Sequence, residues 1–167
     1  MTKGASRKAF IFDANVLIDF CHSDPAILKI ISECVAQVGI ALPVLDEVKA
    51  LDEAKCVSLS IKLIEPELDI ALAAAEKRGS LSFQDHLCLL LAKSEHLICV
   101  TNDKRLRQEC EKEEAECIWG LEPLLLLVEN KGITARGAAE IAQAIHNVNP
   151  RYITRSVIHR FIQRLPG

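Results

Sequence analysis

No Cys-x-x-Cys pair occurs in this 167-residue chain, although it holds seven cysteines. Cys21, Cys34, Cys56, Cys88, Cys99, Cys110 and Cys117 are odd in number and scattered, several of them inside apolar runs. That argues against a disulfide framework or a zinc cluster, and for thiols packed as small hydrophobes in a reducing, cytoplasmic compartment. The histidines share no metal-ligand spacing: His22, His96, His146 and His159 stand alone, and His86 adjoins Asp85 on an apolar helix where packing explains it. No apolar run approaches the roughly 20 residues a membrane helix requires. The longest near the end, Leu124 to Val128, is far too short. The start, with Lys3, Arg7 and Lys8 ahead of Ala9-Phe10-Ile11-Phe12, has the outline of a signal peptide, but Asp13 and Asp19 break the apolar stretch too early. Internal repeats and low-complexity segments are lacking. Aromatic residues are few, with one tryptophan, Trp119, expected in the core.

What is present is a hydrophobic half of the chain, enough for one domain with a sizeable core. The charge is split by position. Residues 1–130 carry 14 Lys/Arg against 22 Asp/Glu, net −8, and residues 131–167 carry 6 against 1, net +5. An acidic body thus precedes a basic tail, which hints at an anionic partner.

Short apolar runs alternate with helical patterns, the signature of a parallel α/β sheet. Strands are expected at Ala9–Phe12, Ile40–Leu42, Val57–Ile64, Leu97–Val100 and Cys117–Trp119. Asp24-Pro25 starts a helix that runs toward Gly39, Pro43 closes the second strand, and Val44–Leu51 begins another helix. Helices are also expected over Glu67–Arg78, stopped by Gly79, from Ser82 through Ala92, and after Asp103. Three more follow at Glu122–Asn130, Ala135–His146 and Ile153–Leu165. Five glutamates between Glu109 and Glu116 read as an exposed helix face.

Each acid of interest has a structural reading when taken singly. Asp13 ends the first strand and caps the next helix, Ser82 and Asp85 form a capping box, Asp103 caps another helix, and Asp46 and Glu47 complement a helix dipole. Together they converge. Asp13 and Asp103 follow apolar strands and so share the carboxyl edge of the sheet, where ligands bind in such folds. Asp85 and Glu47, in first helical turns, point to the same edge. Four carboxylates in one cleft repel unless a cation lies among them, and oxygen-only donors suit Mg²⁺ or Mn²⁺ and phosphodiester chemistry. A phosphatase of the haloacid dehalogenase type needs a second Asp two residues after the first, where this chain has Asn15.

Four segments, Phe10-Ile11-Phe12-Asp13-Ala14-Asn15, Leu42-Pro43-Val44-Leu45-Asp46-Glu47, Ser82-Phe83-Gln84-Asp85 and Val100-Thr101-Asn102-Asp103, resemble in order and separation the acidic motifs of PIN-domain nucleases. The resemblance covers roughly residues 8–120, and the last helices are similar to the extension of some VapC-like toxins. It implies a PIN-like, mostly parallel sheet of about five strands over 1–130, with a basic helical extension over 131–167 packed on the same domain. It also implies a metal-dependent endoribonuclease, the toxin of a toxin–antitoxin pair, with RNA as substrate, an antitoxin partner and a homodimer. Asp13, Glu47, Asp85 and Asp103 would then hold Mg²⁺ or Mn²⁺, with Asn15 and Thr101 supporting them and Asp46 one residue from exchanging with Glu47. An inactive RNA-binding or assembly module and a housekeeping RNA-processing nuclease are the rival expectations. In the tail, Arg151 with Arg155 and Arg160 with Arg164 repeat at four residues, so each pair is expected on one helix face. They suit RNA phosphates or an acidic partner. With only Tyr152 and Phe161 nearby, base stacking is poorly supported there.

Overall fold

The computed structural model describes residues 8–76, 79 and 81–167. Its centre is a five-stranded, wholly parallel sheet formed by β1 (Phe10–Phe12), β2 (Val38–Ala41), β3 (Lys62–Ile64), β4 (Ile98–Val100) and β5 (Cys117–Ile118). The spatial order is β3-β2-β1-β4-β5. β1 and β2 are buried along their whole length, as unbroken apolar runs require of strands covered on both faces. Phe10 pairs with Val38 on one side and Ile98 on the other. Gly39 permits that close approach: a Cβ there would stand 2.9 Å from the Phe10 carbonyl oxygen and from Ile64 Cδ1. The chain builds β1, β2 and β3 outward, then crosses back to lay β4 against the other side of β1. That reversal makes the gap between β1 and β4 the topological switch point, where a crevice opens at the strands' carboxyl ends.

The helices between strands are α1 (Ala14–Ser23), α2 (Ala26–Cys34), α3 (Leu42–Leu45), α4 (Glu53–Ser58), α5 (Leu68–Ala75), α6 (Phe83–Ser94) and α7 (Lys104–Lys112). α6 packs on β1, β4 and α5, burying Leu87, Cys88, Leu89, Leu91 and Ala92, as its nearly all-round apolar sequence predicts.

Two expectations fail between residues 42 and 64. Pro43 does not simply close the second strand. It occupies the first turn of α3, where its fixed φ suits a helix start and its missing N–H is no loss. The expected helix over 44–51 is therefore shorter and earlier, and Glu47 lies in the turn after α3 rather than in a first helical turn. The expected strand from Val57 is instead the end of α4, which is capped by Asp52 accepting the Lys55 N–H at 2.7 Å. Val57 is 77% exposed and Ser60 takes φ +57°, so extended structure begins only at Lys62. The helix expected over 67–78 is formed as α5, Arg78 lying outside the described residues, and Gly79 takes φ +70°.

α8 (Glu122–Glu129), α9 (Ala135–Val148) and α10 (Arg155–Arg164) close the chain. α9 packs on α1, α8 and α10, and Ala138, Ala142, Ile145, Ile153, Ile158 and Phe161 join the common core. Asn149 donates to Asp19 Oδ1 at 2.9 Å, tying this segment to a carboxylate that is itself buried. No helix among the described residues is long and apolar enough to cross a membrane.

Candidate active site

β1 delivers Asp13 to the switch point. Its N–H donates to the Val100 carbonyl at 3.0 Å, extending the β1–β4 ladder by one residue. Its extended backbone and Oδ1, which accepts the Asn15 N–H at 3.4 Å, make it the N-cap of α1. Capping is thus one of its roles, but the bond is long, and Oδ2 faces elsewhere. Thr101, fully buried just beyond β4, donates its hydroxyl to Asp13 Oδ2 at 2.7 Å and accepts the Asp103 N–H at 3.0 Å. One hydroxyl thereby sets the positions of two acids from neighbouring strands. Asn15 is exposed and supports Asp13 through its backbone N–H.

Asp103 caps α7, its Oδ1 accepting from Arg105 N–H at 2.8 Å and Leu106 N–H at 3.0 Å. Asp85 lies in the first turn of α6, where Ser82 Oγ accepts the Asp85 N–H at 3.1 Å. Because α6 runs antiparallel to the strand it precedes, its N-terminus stands at the strands' carboxyl edge. Glu47 reaches the same edge from the turn after α3.

The electrostatics bind these four into one cluster. Burial pushes the Asp13 carboxyl up, the Thr101 and Asn15 hydrogen bonds pull it down, and the charges of Asp103 and Glu47 raise it again. Burial, reinforced by Asp13 and Asp103, pushes Asp85 up to about 6. Glu47 is raised by burial and by the charge of Asp85, and its own charge raises Asp13 in turn. Among the described residues no Lys, Arg or His nitrogen lies within 4.0 Å of any of the four carboxylates. Like charges are held together here without a cation between them from the described residues.

The donor set is all oxygen, which suits a hard divalent ion. The arrangement is open. The one group of three potential ligand atoms mutually within 4.8 Å among the described residues is not acidic but consists of Cys99, Cys110 and Cys117. No three of the four carboxylates bring oxygens mutually within that distance.

The basic extension differs from expectation. α10 begins at Arg155 with Thr154 as its cap, so Arg151 lies in the preceding turn and shares no helix face with Arg155. Arg164 is engaged through both terminal nitrogens with the Glu122 carboxylate, one contact at 3.2 Å, and fastens α10 to α8. Arg155 and Arg160 remain exposed and make no ion pair among the described residues. Trp119 is not a core residue: it is 44% exposed, with the Arg107 guanidinium 3.6 Å from its ring centroid. The glutamates from 109 to 116 are partly paired with Lys8, Lys93 and Lys112, as an exposed face predicts. The scatter of the cysteines argued against a thiol cluster, yet the fold brings three of them together, and sequence reasoning passed over the buried Asp19. The latter's signal was its place beside Val16 and Phe20 on the apolar face of α1.

No protein-family model, curated protein or solved structure matches this chain, and its function rests on the chemistry of the site itself.

Proposed function

We propose that the protein is a metal-dependent endoribonuclease that hydrolyses RNA phosphodiester bonds at the carboxyl edge of its sheet. One observation carries this reading: acids from four chain segments reach the β1–β4 switch point, where the charges of Asp103 and Glu47 raise Asp13, those of Asp13 and Asp103 raise Asp85, and that of Asp85 raises Glu47, with no cation among them from the described residues. A surface that only bound RNA gains nothing from concentrating negative charge against phosphates. Asp13, Glu47, Asp85 and Asp103 would hold Mg²⁺ or Mn²⁺. When bound, such an ion supplies a water of lowered pKa and neutralises charge developing on the phosphate. Thr101 orients the Asp13 carboxylate through its hydroxyl and anchors the Asp103 backbone beside it, while the Arg105 and Leu106 N–H groups hold the Asp103 carboxylate. Asp85, pushed up to about 6, suits acceptance of the attacking water's proton, with Glu47 orienting that water. Exposed Arg155 and Arg160 suit contacts to the RNA backbone or to an acidic antitoxin.

The test is cleavage of a mixed RNA panel with Mg²⁺ or Mn²⁺, run beside Asp13→Asn and Asp103→Asn. The expected result is metal-dependent cutting by the wild type alone, with each variant down at least about 100-fold, as for loss of a principal catalytic group. Cutting that persists in Asp13→Asn, or none by the wild type in either metal, overturns the proposal. Growth arrest on induced expression separates a toxin from a housekeeping nuclease, and light scattering tests the homodimer.

A further inference from the structure

We propose that Cys99, Cys110 and Cys117 form a second metal site, a three-thiolate centre for a thiophilic d¹⁰ cation, with Zn²⁺ the ion its charge favours. Cys99 and Cys117 are register partners on the adjacent parallel strands β4 and β5, so both side chains stand on one face of the sheet. Cys110 comes down onto that face from the buried side of α7. The three sulfurs lie mutually within 4.8 Å. Zn–S bonds of about 2.3 Å place the sulfurs of a tetrahedral site roughly 3.8 Å apart, so closing the triad needs at most about 1 Å of side-chain movement.

Three sulfur donors select soft ions against Mg²⁺, which keeps this centre chemically separate from the carboxylates. The surroundings are those of a built site. Cys99 and Cys110 have no exposed surface, and Arg107 Nη1 donates to Cys117 Sγ at 3.5 Å. Three thiolates with Zn²⁺ and the Arg107 guanidinium sum to zero charge, whereas a monovalent ion leaves one negative charge uncompensated. Hydrogen bonds from Cys110 and Cys99, with Arg107 adding to them, already hold the Cys117 thiol down at about 4. Uptake of the ion displaces the remaining thiol protons to solvent. Entry is open: Cys117 lines a surface cavity of about 460 Å³ bordered by Lys104, Glu111 and Trp119. Water from that cavity can complete a fourth coordination position.

The experiment titrates Cd²⁺, a d¹⁰ probe of the same class, into the reduced, metal-free full chain, follows sulfur-to-metal charge-transfer absorption, and then competes with Zn²⁺. The expected result is a band saturating at one ion per chain, displaced by Zn²⁺ and unmoved by excess Mg²⁺. Cys117→Ser, at a partly exposed position, is expected to weaken binding at least tenfold while retaining the wild-type circular dichroism, and Cys21→Ser is expected to behave as wild type. Absence of a one-to-one band, or a band of full strength in Cys117→Ser, overturns the proposal. Neither result bears on RNA cleavage, which is read separately through Asp13→Asn.

Discussion

Replacing Asp85 with asparagine should stabilise the metal-free protein while removing its activity. Asp85 moves from an ordinary 3.8 to about 6, chiefly through burial, with Asp13 and Asp103 adding to it. A carboxyl whose folded pKa is raised stabilises the fold below its unfolded pKa, and that stability is lost as pH rises through the folded value. The loss therefore spreads over about pH 4 to 6 and is complete above that window. A shift of this size corresponds to about 3 kcal/mol without screening. Asp85 is only partly buried, and solvent screening reduces this to roughly 1.5 kcal/mol. Losing a negative charge from the first turn of α6 returns about 0.5 kcal/mol, leaving a net gain near 1 kcal/mol for Asp85→Asn. In a chain of this length that is about 2–4 °C in Tm. The assay is thermal unfolding by circular dichroism with EDTA, at pH 7.5 and pH 4. The variant should melt higher at pH 7.5, and the difference should close by pH 4. Adding Mg²⁺ at pH 7.5 should raise the wild type more than the variant. A variant that melts lower than wild type at pH 7.5, with no Mg²⁺ effect on either, would refute the claim that like charge is held together at this edge.

Three further outcomes follow from the same geometry. Thr101→Val keeps the shape but leaves Asp13 Oδ2 and the Asp103 N–H without their buried partner, which should cost about 1–3 kcal/mol in denaturant unfolding. It should also raise the Mg²⁺ concentration needed for half-maximal cleavage. Asn149→Ala removes a side-chain donor to buried Asp19, and should cost about 1–2 kcal/mol at pH 7.5. Burial raises the Asp19 carboxyl and the Asn149 hydrogen bond opposes that, so the penalty should shrink as pH falls and the carboxyl takes up its proton. Charge reversal at Arg155 and Arg160 should leave Tm within about 1 °C, since exposed charges contribute little to stability. It should flatten the salt dependence of RNA binding, and an unchanged slope measured by fluorescence anisotropy would exclude these arginines from the RNA path.

The sheet was legible because its central strands are apolar on both faces. Phe10–Phe12 and Ile98–Val100 leave no alternation to misread, and each ends on residues that must turn. Legibility failed where local chemistry competes. Val57 looks like strand to a pattern of β-branched and apolar residues, yet Asp52 caps a helix beneath it and Ser60 turns the chain. Pro43 reads equally as a stop and as a start, and tertiary packing chose the start. The four acids were legible as positions, since strand ends and helix starts announce a shared edge. Which of Asp46 and Glu47 senses that edge depended on the exact end of α3. The thiol cluster had no sequence signature at all. Its spacings of 11 and 7 residues arise only when β4, α7 and β5 fold onto one another. Trp119 was misplaced because a lone tryptophan is ordinarily core, and only the fold shows Arg107 lying over it.

The packing of α9 on α1 has a consequence for synthesis on the ribosome. The helix that Asp13 caps is made well before its partner α9, which ends at Val148. At roughly 5–20 residues per second, residues 24–148 take about 6–25 s to emerge. Over that interval β1 also waits for β4, its second neighbour in the sheet. Until residue 148 has emerged, the helix that Asp13 caps lacks one of the elements that cover it.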